Sequence, residues 1–279
     1  MKSDPAASSA SSEFRDKCLK IEQALAPFDK VGVAYSGGVD STFVCWFLKE
    51  ELGKSVVALF VDTPFISARE REDALRTAAH LGLDLEVLAF DPLDSGPVRE
   101  NPFDRCYFCK KEVFKRILDR AGQLGCQAVA DGSHAGDASG WRPGKKALAE
   151  LRILSPLAIA GLSKDEIRQL SRAAGIPNWN KPSQSCLATR IPYGTAISRE
   201  VLDRIEKAED LLHEMGCVQV RVRVHGDLAR IEAQEADFAM LVEPENRAKI
   251  IKEFNALGFA HVSLDLAGFR SGSWDKQLL

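Results

Sequence analysis

Two groups of residues in this sequence have types and spacing that could do chemistry. The first runs from Ser36 to Ser41 as S-G-G-V-D-S, between an apolar run and a helix-like run. Gly37 and Gly38 permit positive φ angles that turn successive N–H groups inward, and a following helix would present its N-terminus to the same anion. Both serines add hydroxyl donors, and Asp40 could hold Mg²⁺ beside a polyphosphate. The stretch predicts a phosphate cradle.

This cradle differs from the two commonest nucleotide-binding loops. A Walker A loop requires a lysine after its glycines, and a Rossmann loop requires G-x-G-x-x-G, and S-G-G-V-D-S has neither. An ordinary tight turn between a strand and a helix is the alternative interpretation. Two glycines, two serines and an aspartate directly after an apolar strand favour anion binding over that alternative.

The second group consists of three cysteines. Cys106 and Cys109 form a C-x-x-C at the start of a predicted helix, and Cys186 lies in the proline-rich stretch KPSQSCLATRIPYG. C-x-x-C alone fits a redox dithiol, half of a zinc site, part of an iron–sulfur site or two unrelated thiols. No second C-x-x-C completes a zinc site, whereas three thiolates suit a [4Fe–4S] cluster with one iron left open. The remaining cysteines stand in apolar settings and are predicted core residues: Cys18, Cys45, Cys126 and Cys217.

Further candidate anion-binding residues lie outside the cradle. Arg221 and Arg223 alternate with valines on a predicted strand, so both side chains share one face. Neighbouring guanidinium groups repel unless an anion lies between them, and a nucleotide phosphate is the natural candidate. An exposed charged strand face is the alternative. The stretch DGSHAGDASGWRPG follows a strand and offers Ser133, Asp137 and Arg142 to a nucleotide pocket.

The elements that must position these residues follow from the apolar pattern. Up to about residue 178, short apolar runs alternate with helix-period segments, which predicts an α/β fold with a parallel sheet and helices on both faces. The predicted strands are Val31–Tyr35, Val56–Val61, Leu85–Phe90, Ala128–Ala130 and Ile153–Leu154. The predicted helices include Ser41–Leu52, Cys109–Ala121 and Ser163–Ala173, the last opened by a capping box of Ser163 and Glu166.

After a proline-rich loop the pattern changes to that of a smaller α+β domain. It consists of a helix at Arg199–Met215, strands at Val218–Val224 and Ala229–Ala233, a helix near Arg247–Leu257 and a strand near His261–Leu266. The predicted organisation is a disordered tail at 1–13, a first domain at 14–180, a cysteine-bearing loop at 181–197 and a second domain at 198–279.

Composition excludes several classes of protein. A net charge of −3 argues against a general nucleic-acid binder, and no apolar run approaches the roughly 18 residues of a membrane span. The N-terminal segment lacks the apolar core of a secretion signal. Seven cysteines without an export signal predict a cytoplasmic protein with free, ligating or catalytic thiols.

Several separated motifs agree with one known family. S-G-G-V-D-S resembles the loop of the PP-loop ATP pyrophosphatases, which cleave ATP between the α- and β-phosphates and hold pyrophosphate there. With KPSQSCLATRIPYG, RVRVHGDLARIE and SLDLAGFRSGS, the sequence resembles the LarE sulfur transferases over roughly residues 14–275. The resemblance implies that ATP adenylylates a carboxylate of a pyridinium dicarboxylate mononucleotide and that sulfur then displaces AMP. The product belongs to the nickel-pincer nucleotide cofactor of lactate racemase and related enzymes.

The resemblance also implies roles for single residues. One branch of the family takes sulfur from one cysteine, here Cys186, and converts it to dehydroalanine. Another branch has cysteines at the positions of Cys106, Cys109 and Cys186 and is thought to bind a [4Fe–4S] cluster, and this sequence resembles that branch. Family arginines near the substrate phosphate correspond to Arg221, Arg223 and Arg270, and carboxylates for a divalent metal correspond to Glu209 and Glu232. Family members assemble as homo-oligomers.

Three basic residues lie near the cysteines in the sequence. Arg105 and Lys110 beside the C-x-x-C, with Arg190 near Cys186, would favour the thiolate form, and a solvated surface is the alternative.

The leading function is ATP-dependent sulfur insertion into a small-molecule nucleotide, using ATP, Mg²⁺ and a [4Fe–4S] cluster, without a nucleic-acid or membrane partner. A PP-loop tRNA thiolase and a non-catalytic nucleotide-binding protein are the alternatives.

Overall fold

The chain divides into two compact units in the computed structural model, which describes residues 5–138 and 143–270. The first unit comprises Met1–Thr63, Ala68–Phe90 and Cys106–Ser183, and the second comprises Pro64–Ser67, Asp91–Arg105 and Gln184–Leu279. The sequence pattern predicted contiguous domains that part at residue 180. The structure instead assigns two short segments from the first half of the chain to the second unit.

A parallel four-stranded sheet forms the centre of the first unit. Its strand order is β3-β2-β1-β4, with β1 at Lys30–Tyr35, β2 at Ser55–Asp62, β3 at Asp84–Ala89 and β4 at Ala128–Ala130. Val31 pairs with Val56 of β2 on one side and with Ala128 of β4 on the other. Leu154 adds a single parallel bridge to Ala130, which is all that remains of the fifth predicted strand.

Burial along the strands follows their position in the sheet. β1 and β2 are almost wholly buried because helices cover both faces of the sheet, as the unbroken apolar runs predicted. β3 is partly exposed, with Val87 at 41% exposure, because it lies at the sheet edge. The prediction that the strands are covered on both faces is therefore confirmed for the central strands and wrong for β3.

The helices are numbered along the whole chain. Those of the first unit are α1 (Pro5–Leu25), α2 (Val39–Trp46, continued by a π-helical turn at Phe47–Glu51), α3 (Ala68–His80), α5 (Arg105–Gln123), α6 (Pro143–Glu150), α7 (Pro156–Ile159) and α8 (Lys164–Ala173). The predicted capping box is confirmed, because Ser163 Oγ accepts from the Glu166 N–H while Glu166 accepts from the Ser163 N–H. α1 includes residues 5–13, where the sequence predicted a tail.

The second unit contains a smaller mixed sheet of order β5-β6-β7. β5 (Val220–His225) and β6 (Leu228–Ala233) form an antiparallel hairpin, and β7 (His261–Leu264) pairs parallel to β6. Its helices are α4 (Gly96–Arg99), α9 (Arg199–Glu214), α10 (Phe238–Val242) and α11 (Pro244–Ala256). α9 packs on β5 through a buried stripe of Leu202, Ile205, Ala208 and Leu212, as its periodicity predicted.

No helix within residues 5–138 and 143–270 combines the length and the apolar character that crossing a bilayer requires.

Candidate functional site

The predicted phosphate cradle connects the carboxyl end of β1 to the N-terminus of α2. The chain leaves β1 towards β2 on one side and returns to β4 on the other, so the cradle lies at the point where strand order reverses. Open α/β sheets bind ligands at such points. Gly38 is the N-cap of α2 and provides no side-chain cap. The first N–H groups of the helix, which have no intrahelical acceptor, can therefore face an anion.

The two glycines of the cradle serve different purposes. Gly37 has a φ of 71°, and a Cβ there would lie 2.4 Å from Ala74 Cβ, so only glycine fits. Gly38 has a φ of −79°, so the expectation that both glycines adopt positive φ is wrong for Gly38. The nearest atom to a Cβ at Gly38 is Ser36 Oγ, at 3.4 Å. Gly38 therefore keeps the mouth of the cradle open, while Gly37 makes the turn.

The serine hydroxyls close the turn from inside. Ser41 Oγ accepts from the Ser36 N–H at 3.1 Å and lies 3.1 Å from Ser36 Oγ. The Gly38 carbonyl accepts from Ser41 Oγ at 3.2 Å and from Thr42 Oγ1 at 2.8 Å. The hydroxyls thus shape the loop, and their predicted donation to an anion stays a prediction.

Two residues at the cradle were missed by the sequence interpretation. Lys164, the first residue of α8, places Nζ 2.5 Å from Asp40 Oδ2. Asn178 is buried and donates its amide N–H groups to the Gly37 carbonyl at 2.9 Å and to Thr42 Oγ1 at 3.1 Å. Both come from positions more than 120 residues along the chain, as their separations of 124 and 141 residues show. Lys164 was visible in S-K-D-E, where the sequence indicated only a capping box.

Asp40 has an unused carboxylate oxygen. Oδ2 is paired with Lys164, whereas Oδ1 is buried and has no hydrogen-bond partner within the part of the chain that the structure describes. Carboxylate oxygens are the ligands that Mg²⁺ prefers beside phosphates. Asp40 therefore fits the predicted Mg²⁺ ligand.

The loop after β4 lies against the start of α2. A Cβ at Gly132 would lie 2.7 Å from the Ser41 backbone N, so the two loops approach through glycine. Asp131 organises this loop, because its carboxylate accepts from Ser133 Oγ at 2.5 Å and from Ser155 Oγ at 2.7 Å. The Ser133 hydroxyl is thus held by Asp131. Asp137 lies in a short helix at Ala135–Ala138, and Arg142 lies outside the described residues.

Cys106 and Cys109 lie near the start of α5. Their spacing of three residues places both thiols on one helix face, and both are partly buried. All seven cysteines lie within the described residues, and none forms a disulfide. Across residues 5–138 and 143–270, no group of three or more His, Cys, Asp or Glu side chains is placed to hold a metal ion. The three-cysteine [4Fe–4S] site stays a prediction.

Cys186, in the second unit, lies in a segment that is held by its backbone. It precedes a short helix at Leu187–Arg190, and its carbonyl accepts from the Thr189 N–H at 2.9 Å and from Thr189 Oγ1 at 2.8 Å. Arg190 Nη1 donates to the Cys186 carbonyl at 3.3 Å and to the Ser185 carbonyl at 2.7 Å. The backbone on both sides of the partly buried Cys186 thiol is therefore fixed.

Two of the cations expected near the cysteines are buried rather than solvated. Arg105 is 2% exposed and donates to Asn101 Oδ1 and to the Ala188 carbonyl. Arg190 is 3% exposed. The solvated-surface alternative is wrong for both arginines. Lys110 is partly covered, since a Cβ at Gly144 would lie 2.6 Å from its Cδ. Their predicted effect on the thiols stays a prediction.

A buried charge cluster surrounds β5 in the second unit. Its members are Arg190, Arg221, Arg223, Arg230, Glu209, Glu232 and Asp265. Arg190 makes a two-pronged ion pair with Glu209 at 2.8 and 2.9 Å, and Arg223 donates twice to Glu232 at 3.1 and 3.0 Å. Arg221 and Arg223 are only 4% and 1% exposed, so the exposed-strand alternative is wrong.

Arg221 has no carboxylate partner in this cluster. Within the described residues it makes no ion pair, and its buried Nε has no hydrogen-bond partner. Nη1 donates to the Arg270 carbonyl at 3.2 Å, and the guanidinium lies 4.5 Å from the Phe269 ring centre. Burial, reinforced by the charges of Arg190 and Arg223, lowers the pKa of Arg221 to about 10. A buried cation of this kind would suit an anion, and the predicted phosphate site at Arg221 stays a prediction.

Glu209 and Glu232 do not fit a divalent metal in this arrangement. Glu209 Oε1 accepts from Arg190 and from the Val222 N–H, and Oε2 accepts from Arg190. Glu232 Oε2 accepts from Arg223, and Oε1 pairs with Arg230 at 3.2 Å. Arginines thus occupy every carboxylate oxygen that a cation would need. We derive no metal chemistry from these two residues.

Comparison with known proteins agrees with this geometry. A family model described as asparagine synthase matches residues 21–97, which include the cradle and the first three strands. An uncharacterised protein of Synechocystis sp. is 37% identical over 95% of this chain and 99% of its own length. The pyridinium-3,5-bisthiocarboxylic acid mononucleotide synthase of Lactiplantibacillus plantarum is 36% identical over 94% of this chain and 95% of its own length.

More distant matches are tRNA-modifying enzymes. The tRNA-specific 2-thiouridylase MnmA of Leptothrix cholodnii is 30% identical over 70% of this chain, a stretch that covers 58% of that enzyme. The match to the Lactiplantibacillus synthase, in contrast, runs the length of both proteins. By this full-length similarity, and by a parallel sheet with its PP-loop after the first strand, the chain belongs to the LarE family.

Proposed function

We propose that this protein is an ATP-dependent sulfurtransferase that inserts sulfur into pyridinium-3,5-biscarboxylic acid mononucleotide. The observation that carries the proposal is 36% identity, over 94% of the chain, to a synthase of the corresponding bisthiocarboxylic acid. The cradle at β1 supports it, and so does Arg221, whose buried Nε has no hydrogen-bond partner within the described residues, because the reaction needs one site for a polyphosphate and one for a nucleotide phosphate.

The first step activates the substrate. A carboxylate is a poor electrophile, so one of its oxygens attacks the α-phosphorus of ATP, and the bond from that phosphorus to the bridging oxygen of the β-phosphate breaks. Pyrophosphate leaves with the electron pair and an acyl-adenylate remains. The N–H groups at the start of α2 bind the departing pyrophosphate. Asp40 would hold Mg²⁺, whose charge offsets that of the pyrophosphate.

The substrate phosphate binds at the buried charge cluster. Arg190 and Arg223 are neutralised by Glu209 and Glu232, and among the described residues Arg221 has no such ion pair. A phosphate that pairs with Arg221 removes the repulsion from its neighbours and supplies an acceptor to the buried Nε. Arg223 and Arg270 extend this site in the proposal.

The second step transfers sulfur to the acyl carbon. The sulfur nucleophile must be deprotonated, since a protonated thiol reacts weakly. It attacks the acyl carbon, and AMP leaves with the electrons of the broken C–O bond. Cys186 carries or guides this sulfur, and Cys106, Cys109 and Cys186 would hold a [4Fe–4S] cluster. When bound, such a cluster supplies an open iron that can carry an extra sulfide through repeated turnovers.

The sacrificial route uses Cys186 alone. Its thiolate displaces AMP to give a thioester, and loss of a proton from Cys186 Cα breaks the Cβ–S bond, leaving a thiocarboxylate and dehydroalanine. Anaerobic purification with iron and sulfide analysis, followed by intact mass after turnover, separates the routes. Bound iron and an unchanged mass support the cluster route. Absence of iron, with a mass loss of one H₂S, assigns the chain to the sacrificial route.

The function itself is tested by pyrophosphate release from ATP. Release should require the pyridinium nucleotide and should yield a thiolated product. A Cys186→Ala variant should still release pyrophosphate but give no thiolated product. Cys18→Ala, which changes another partly buried thiol, should keep both activities. Release of no pyrophosphate in the presence of the nucleotide would contradict the proposal and leave a non-catalytic binding protein.

A tRNA thiolase is the second candidate, because the MnmA enzyme of Leptothrix cholodnii matches over 70% of the chain. The net charge of −3 argues against it. Affinity for tRNA that falls steeply with added salt, together with tRNA-dependent pyrophosphate release, would favour this candidate. A cytoplasmic location and a homo-oligomeric assembly also remain part of the proposal.

A further inference from the structure

The turn that carries Cys186 receives hydrogen bonds from buried arginines. Three of them donate to backbone carbonyls of residues 185–189: Arg105, Arg190 and Arg223. Arg190 and Arg223 are also paired with carboxylates. Arg105 differs, because within the described residues it has no ion pair; its Nη1 donates to the Ala188 carbonyl at 3.1 Å and to Asn101 Oδ1. A neutral side chain, that of Asn101, therefore holds this buried cation against the turn.

Asn101 also binds the backbone that follows the turn. Its Nδ2 donates to the Pro192 carbonyl at 2.8 Å and to the Ile191 carbonyl at 3.5 Å, while its own carbonyl accepts from the Gly194 N–H at 2.8 Å. Asn101 is 0% exposed and has a φ of 55°, which asparagine tolerates better than most residues. Both polar atoms of its side chain are thus used, one on the backbone and one on Arg105.

The segment that carries Cys186 has little regular structure of its own. Between Gln184 and Ser198, the structure contains only the short helix at Leu187–Arg190. Buried carbonyls in such a segment need donors from elsewhere, and here side chains supply them. The shape of the segment therefore depends on these side chains. A displacement of a reacting atom by about 1 Å can slow a reaction roughly 100-fold.

On these grounds, and resting on the proposed function, we infer that Asn101 and Arg105 are positioning residues for sulfur transfer. They touch neither ATP nor the nucleotide in this account, and they transfer no proton. Their hydrogen bonds fix the backbone on the C-terminal side of Cys186. The Cys186 sulfur, whether it is the donor or a cluster ligand, then keeps one position while the acyl carbon reacts.

A purely structural contribution to stability is the competing explanation. Asn101→Gly separates the two, because glycine adopts positive φ without strain and only the side chain is lost. Asn101 is a cleaner position to change than Arg105, which directly precedes Cys106 in the chain. The matched control is Asn246→Ala, which removes an amide–carbonyl hydrogen bond of 2.9 Å to Met240 in the same unit.

The first measurement is the thiolated product formed per pyrophosphate released, in a single turnover of the full chain with ATP, Mg²⁺ and the pyridinium nucleotide. Asn101→Gly should still release pyrophosphate but give about 10-fold less thiolated product for each pyrophosphate. Arg105→Met should show a similar loss, and the double variant should lose little more, because both residues act in one network. Asn246→Ala should keep the wild-type ratio.

The second measurement is the alkylation rate of single cysteines by iodoacetamide, read by peptide mass after removal of any bound iron. Loss of the Asn101 hydrogen bonds should speed alkylation of Cys186 about 10-fold. Cys217 is 2% exposed and belongs to the same unit, so its alkylation reports unfolding of that unit. Its rate should stay within about twofold of wild type in Asn101→Gly.

A lower product ratio together with faster alkylation of Cys186 alone supports the inference. It is overturned if Asn101→Gly keeps either quantity at the wild-type value. It is also overturned if Cys217 is alkylated faster in the same proportion as Cys186, since that indicates unfolding of the second unit. If the wild type forms no thiolated product, the proposed function fails, whereas the alkylation rates still decide whether Asn101 holds the Cys186 turn.

Discussion

Replacing Glu209 by glutamine should destabilise the second unit far more than an ordinary charge substitution. Glu209 receives three hydrogen bonds, two from Arg190 at 2.8 and 2.9 Å and one from the Val222 N–H at 2.8 Å. Glutamine keeps the shape but removes the charge, and its NH₂ group must face a donor of Arg190 or the Val222 N–H. The substitution thus leaves a buried guanidinium uncompensated.

Burial sets the magnitude of this effect. The Arg190 and Glu209 side chains are only 4% and 8% exposed. Removing one partner of such a pair costs about 3–5 kcal/mol in the free energy of unfolding. The positive charges of Arg221 and Arg223 lie nearby and push the cost towards the upper end. Glu150→Gln at the surface pair with Lys111 is the matched control and should cost far less, because solvent screens that pair.

The rate of amide hydrogen exchange in β5 measures this loss of stability directly, because the Val222 N–H is itself bonded to Glu209. A loss of about 3–5 kcal/mol should accelerate exchange of this amide about 100-fold or more in Glu209→Gln. The double variant Arg190→Met with Glu209→Leu should lose less free energy of unfolding than Glu209→Gln in urea titrations, since no lone charge remains. Exchange within about threefold of wild type in Glu209→Gln would refute the buried-pair reasoning.

Two further pairs of substitutions, one in β5 and one in the cradle, should give contrasting results. Arg221→Met should raise the free energy of unfolding at pH 7, because folding lowers the pKa of Arg221 to about 10 and so disfavours its charged form, and this gain should shrink as pH rises from about 10 towards 12.5. Arg223→Met should lower the free energy of unfolding, because Glu232 Oε2 loses both hydrogen bonds that Arg223 donates. Urea titrations across pH test both signs. Gly37→Ala should lower the melting temperature because of its φ of 71° and the 2.4 Å contact, whereas Gly38→Ala should melt like wild type but bind pyrophosphate less tightly in calorimetry.

The loop that forms the cradle was predictable from sequence because its signal is local. The glycines, serines and aspartate of the cradle are adjacent in the chain, and the strand and helix beside them have clear apolar patterns. The structure confirms the parallel sheet and the smaller α+β unit. Helix α3 was not predicted because it lacks such a local signal. Only Ala74, Thr77 and Ala78 are buried on it, so its sequence has no apolar stripe.

Features that depend on distant parts of the chain were not predictable. Nothing local indicates that Lys164 meets Asp40 or that Asn178 holds Gly37. The alternation of valine and arginine in β5 left an exposed charged face open as an alternative to an anion site, yet both faces are buried. A carboxylate of the neighbouring strand explains this for Arg223, which donates twice to Glu232 of β6. Arg221 is buried without such a pair within the described residues.

The most direct test of the proposed sulfur transfer is the mass of the nucleotide product after turnover with ATP and Mg²⁺. The proposed reaction predicts exchange of one carboxylate oxygen for sulfur in each activated carboxylate, with AMP and pyrophosphate formed in equal amounts. Cleavage of ATP to AMP and pyrophosphate with the nucleotide unchanged in mass, or sulfur appearing in tRNA instead, would contradict it.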